Sequence, residues 1–188
     1  MPASYETHRA QLKAILLAWG MPEDNAETSA DVLCWADLHG VDSHGISMLP
    51  GYDRLRRSGR AKMEACPRII KETPVSALVD GDGGLGHVPA HFAMQVAIDK
   101  AKQSGMAVVA VRNSAHFWCD RLLHLDGREG RADRHGLHQR LQYPGGTHLR
   151  QGGKARHRSL VLRRTDDRWA AVSIGHGDDD GGGWPHSQ

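Results

Sequence analysis

LVDGDGGLGHVPAHFAMQVAIDKAKQSG, Leu78 to Gly105, is the stretch on which the fold turns. It opens on the end of a short apolar run, VSALVD, and passes through a cluster of glycines. It continues as a segment whose Ala93, Val96, Ala97, Lys100 and Ala101 recur at helical spacing. MAVVAV follows at once, with the length and β-branched content of a strand buried on both faces. A strand, a helix from about Val88 to Lys102 and a second strand make a crossover unit. That pattern predicts an α/β architecture.

Gly81, Gly83 and Gly86 also satisfy the Gly-x-Gly-x-x-Gly spacing that lets a pyrophosphate approach a helix N-terminus. Two features argue against that use. Asp80 and Asp82 would set negative charge beside the phosphates, and the next strand ends on Arg112 where an acid for the ribose would stand. The run is therefore read as a glycine-rich turn.

Upstream, RIIKE reads as a further short strand, and before Pro67 the period changes to helical. Ser4 can cap a first helix with Leu12, Ile15, Leu16 and Trp19 on one stripe and Gly20 at its end. Pro22, Glu23 and Asp24 suit the first turn of a second helix, which buries Ala26, Ala30, Leu33 and Cys34 and stops before Gly40. A third helix begins near Ser47 with Pro50 in its first turn. Leu49 and Leu55 point inward, and Arg54, Arg56, Arg57 and Arg60 form a solvated basic edge. The order predicts an N-terminal helical domain, residues 1–66, leading into an α/β domain from residue 67.

Two stretches carry candidate chemistry: DLHGVDSHGISMLPGY, Asp37 to Tyr52, and RNSAHF, Arg112 to Phe117. Each sets a histidine, His44 or His116, among small turn-forming residues that let the chain bend closely round a ligand. An imidazole can give and take a proton near neutral pH, so the two could flank one carbonyl or hydroxyl. Spacing alone leaves a second reading open, in which both are solvated or hydrogen-bonded structural residues.

The formal net charge of +2 is too small to argue for nucleic acid or an anionic membrane. The N-terminus lacks an apolar signal-peptide core, and no apolar run is long enough to span a bilayer. Three cysteines, Cys34, Cys66 and Cys119, have no metal spacing, which points to a reduced, cytoplasmic protein.

Taken together, DLHGVDSHGISMLPGYDRL, LVDGDGGLGHVPAHFAMQVAIDKAKQSG and VVAVRNSAHF resemble the type-2 malate/L-lactate dehydrogenase family, over nearly all of residues 4–117. The resemblance implies NAD- or NADP-dependent interconversion of a 2-hydroxy acid and a 2-oxo acid, on a fold that is not Rossmann, in a homodimer. It makes residues 67–117 the start of an NAD(P)-binding domain. The family's Ser-His-Gly histidine falls on His44 and its Asn-Ser-x-His histidine on His116, and either can be the acid/base group. Ser43 and Asn113 become hydrogen-bonding neighbours on the substrate side. Cofactor-binding residues are not assigned, and no metal is expected. Many relatives carry arginine four residues after the first histidine; this chain has Met48.

Beyond Phe117 the likeness stops. Every methionine and phenylalanine lies at or before that residue, and eleven of the twelve basic residues beyond it are arginine. Trp118 to Asp120 and the residues after them can be encoded so that loss of one nucleotide yields GAIGYYTW, a family-like segment. We therefore read residues 118–188 as a disordered tail, out of frame, on a truncated enzyme. His135, His138, His148 and His157 have no zinc spacing, and Asp178, Asp179 and Asp180 lack the other ligands of a calcium loop. Two alternatives are a non-catalytic remnant that associates with intact subunits, and a basic RNA-binding tail on an enzyme-like head.

Overall fold

The structure, a computed structural model, describes residues 4–115, 158–165 and 168–176. The helical layer starts with α1 (Tyr5–Ala18), where the Ser4 hydroxyl accepts the Thr7 N–H at 3.2 Å and caps the first turn. Helix α2 (Glu23–Leu38) begins directly after Pro22 and buries Ala26, Ala30, Leu33 and Cys34, as its spacing foretells. Two short 3-10 turns, Asp42–His44 and Ile46–Met48, lead into α3 (Leu49–Arg57), with Pro50 in the first turn where its missing N–H costs nothing. Leu12, Leu16, Leu33, Leu49 and Tyr52 form one apolar cluster, joined by Leu85 and Ala115 from beyond residue 66. Burial pushes the Cys34 thiol up to about 11, so it stays protonated and inert. The basic edge of α3 is partly engaged: Arg56 pairs with Asp53 at 2.7 Å and lies over the Trp19 ring, and Arg57 reaches the other Asp53 oxygen.

The sheet contains β1 (Arg68–Thr73), β2 (Ser76–Gly84), β3 (Met106–Ser114), β4 (Arg158–Thr165) and β5 (Arg168–His176), in the order β1-β2-β3-β5-β4. Helix α4 (His87–Ser104) makes the crossover from β2 to the parallel strand β3. The outer pairings, β1 with β2 and β4 with β5, are antiparallel. Ala90, Ala93, Ala97 and Ala101 line the buried face of α4, and such small side chains let the helix lie close on Ala77, Val79, Val109, Val111 and Val172.

Three expectations change. Strand β3 buries Ala107, Val109 and Val111 but leaves Met106 and Val108 57% and 44% exposed. It is therefore not covered on both faces: α4 packs on one side only. The glycine run is not a turn. Residues Gly81–Gly84 belong to β2, which tolerates them through a register break after Asp80, with Asp82 and Gly83 both left-handed at φ 54° and 70°. Finally, the expectation of a tail without order is narrowed, because β4 and β5 complete the sheet and the fully buried Val172 enters the α4 core. Leu160 to Leu162 and Ala170 to Val172 are short apolar runs that only a partner strand turns into structure.

Candidate active site

The first histidine stretch is held by a carboxylate. Asp37, in the last turn of α2, accepts the backbone N–H of Ile46 on Oδ2 at 2.9 Å, and the same oxygen lies 2.9 Å from Nε2 of His8 on α1. A Cβ on Gly45 would fall 1.6 Å from Asp37 Oδ1, so the carboxylate occupies the room that glycine leaves. The His44 N–H bonds to the Val41 carbonyl at 2.9 Å and fixes the turn from the other side. Ser43 Oγ is 2.6 Å from His44 Nδ1. The His44 imidazole is half-buried, and loss of water lowers its pKa, which favours the neutral ring with one donor and one acceptor nitrogen.

The second stretch lies at the carboxyl end of β3, the edge where open α/β sheets bind ligands. Asp80, opposite on β2, takes the Asn113 side-chain amide and the Asp82 N–H on Oδ1, both at 2.9 Å. Its Oδ2 faces Arg112 Nη2 at 3.2 Å. The Asn113 bond first, then the Asp82 N–H and Arg112, hold the Asp80 carboxyl below the usual carboxylate range. Asn113 is left-handed at φ 52°, and two residues on the Ala115 N–H returns to the Gly84 carbonyl at 2.8 Å.

The structure thus places Ser43 beside His44, and ties Asn113 to Asp80 while leaving it exposed. His116 lies outside the described residues. Its neighbour Ala115 packs against the helical cluster, as does Met48 after the His44 turn. Sequence reasoning missed Asp37 and Asp80. An acid in the last turn of α2, against the helix dipole, was a usable signal for the first. It also missed the buried Tyr52 hydroxyl to His87 Nε2 contact, 3.1 Å, which joins α3 to the start of α4.

Two glycines of the run are packed against protein. A Cβ on Gly81 would lie 2.8 Å from the Asn113 carbonyl oxygen, and one on Gly84 would lie 2.6 Å from the Ala65 Cβ. Both glycines make room for protein, and Asp82 is paired with Lys62 at 2.8 Å. Among the described residues no group of three His, Cys, Asp or Glu could hold a metal, and no helix is long and apolar enough to cross a membrane. The tail histidines 135, 138, 148 and 157 and Asp178 to Asp180 lie outside the described residues.

Fold and site together define an α/β protein with two histidine-bearing motifs, one following a helix of the helical layer and one at a strand end of a mixed sheet. The chain belongs to the malate/L-lactate dehydrogenase family, a family of oxidoreductases, whose profile matches residues 3–121. It is 42% identical over 112 residues to an L-sulfolactate dehydrogenase of Methanocaldococcus jannaschii, covering 60% of this chain and 33% of that one. Hydroxycarboxylate dehydrogenase B of Escherichia coli K12 is 38% identical over 112 residues, 60% of this chain and 31% of its own. The solved malate dehydrogenase of Pyrococcus horikoshii superposes with a TM-score of 0.64 at 36% identity, covering 67% of this chain and 36% of that one. The chain thus spans about a third of the length of the relatives it matches.

Proposed function

We propose that this chain carries the proton-transfer loops of an NAD- or NADP-dependent enzyme that interconverts a 2-hydroxy acid and a 2-oxo acid. The observation that carries the reading is the anchored His44 turn, a half-buried imidazole of lowered pKa on the stretch that the family resemblance marks as acid/base. In this reading His44 or His116 gives or takes the proton on the substrate oxygen, Ser43 sets the tautomer of the His44 ring through Nδ1, and Asn113 borders the substrate. A nicotinamide, when bound, supplies or accepts the hydride. The residues that hold it are not assigned. The family resemblance adds a homodimer as the working unit, and the cysteine usage adds the cytoplasm.

The same proposal takes residues after Phe117 as read out of frame. Its test is to sequence the coding DNA and to compare two purified proteins, the chain as given and a version continued in the alternate frame. We expect 2-oxo-acid-dependent oxidation of NADH or NADPH in the continued version and none in the chain as given, because hydride transfer demands a nicotinamide held against the substrate carbon. An alternate frame interrupted by stop codons just after Trp118 would end the frame reading. A continued version inert toward every 2-oxo acid would end the functional one.

A further inference from the structure

A carboxylate in the last turn of a helix stands against the negative end of the dipole, an unfavourable placement when nothing answers it. Helix α2 ends with Asp37 there and has no basic residue in that turn. What answers it comes from two other elements: the Ile46 N–H and the His8 ring, each 2.9 Å from Oδ2. The Asp37 side chain is 21% exposed and that of His8 23%, so the pair sits at the margin of the core where water weakens it little. Gly45 completes the arrangement, because any side chain there would expel the carboxylate. The bonded peptide is the one joining Gly45 to Ile46, directly after His44, and on the other side the His44 N–H is tied to Val41. The turn is closed on both flanks of one imidazole.

We propose that Asp37 is a positioning residue: with His8 as its partner, it fixes the Gly45–Ile46 peptide and thereby the place and hydration of the His44 imidazole. The proposal rests on the reading of His44 as a proton-transfer group, but its test does not depend on turnover. The full chain, labelled with nitrogen-15 and with carbon-13 in histidine, is followed by NMR as wild type, Asp37→Ala and Asp37→Asn. With the carboxylate gone, the Ile46 N–H should exchange at least about tenfold faster than in the wild type while amides of α4 keep their rates. The His44 ring, better hydrated, should titrate higher, nearer the ordinary histidine value. Asparagine keeps one acceptor oxygen and should restore part of both effects.

A merely structural Asp37 would lower stability and leave the His44 titration where it is, and that result overturns the proposal. If Asp37→Ala does not fold, His8→Ala, a change at the margin of α1, carries the same comparison. It should move both readouts in the same direction by a smaller factor, and unmoved readouts in that variant also overturn the proposal. Should the Asp37 effects appear while His44→Ala keeps full turnover in the continued version, the positioning stands and the acid/base assignment falls.

Discussion

The two histidine stretches are each held by one carboxylate, but the carboxylates hold different things. Asp37 grips backbone: it takes the Ile46 N–H, in a turn whose own backbone bonds are a few local ones such as His44 N–H to the Val41 carbonyl. Asp80 grips side chains, Asn113 and Arg112, along with its own neighbour's N–H, while the β3 backbone is held by the sheet and by the Ala115 return to Gly84. A loop of the first kind loses its place when the acid is removed. A strand end of the second kind loses free energy and keeps its place. The same residue type at two sites therefore predicts unlike phenotypes, and mutants can separate them.

The largest effect should come from the imidazoles themselves. In a version continued in the alternate frame, His44→Ala or His116→Ala should lower turnover by about a hundredfold or more, whichever is the proton-transfer group. Steady-state rates of 2-oxo acid reduction measure it. A pair of variants that both keep nearly full rate would remove the chemistry from both loops at once.

Next in size is Gly45→Ala. Its Cβ cannot coexist with the Asp37 carboxylate as placed, so the acid must swing out and drop both its bonds. Overpacking of this kind costs about 1–3 kcal/mol. Chemical unfolding followed by circular dichroism should show a lower midpoint with an unchanged slope. A midpoint equal to that of the wild type would mean that the turn has slack and the comparison of the loops is wrong.

How far the sequence foretold these features differs between the loops and the frame around them. Ser4, Pro22 and Pro50 mark helix starts by local chemistry, and all three helices begin where those residues say. The alanine spacing of α4 and the β-branched run of β3 are local as well. The carboxylate contacts are not local: His8 lies 29 positions from Asp37, and Asp80 lies 33 from Asn113. Those meetings depend on how α1 crosses α2 and on the parallel register that sets Asp80 opposite Arg112, which no spacing rule encodes. The glycine run misled in a related way, since its small residues serve a close approach of Ala65 and Asn113 that only the folded chain reveals.

Acid should act on the second loop through Asp80. Its carboxyl is held below the ordinary range by Asn113, the Asp82 N–H and Arg112, so its contribution is complete above the unfolded value of about 3.9. That contribution is lost as the pH falls through the lower folded value. Asp80→Asn should cost about 1–2 kcal/mol at neutral pH, in keeping with hydrogen bonds to a charged group. It should also flatten the fall in stability below about pH 4. Unfolding midpoints at pH 7 and pH 3 for both proteins give the comparison, and an acid limb just as steep in the variant would show that Asp80 is not its source.

The smallest effect, and the sharpest test of how the strand end is built, lies at Asn113. Its backbone is left-handed at φ 52°, where a residue with a Cβ is strained by about 1–2 kcal/mol and asparagine tolerates the strain better than most. Its side chain meanwhile gives Asp80 one hydrogen bond at 2.9 Å. Asn113→Gly removes the bond and the strain together, so the two changes should nearly cancel, to within about 1 kcal/mol. Asn113→Ala removes the bond and keeps a Cβ in the left-handed region, so it should be less stable than the glycine variant by about 1 kcal/mol. If alanine and glycine prove equally stable, the left-handed turn is not what Asn113 contributes. The Asn113 side chain would then matter only through its bond to Asp80.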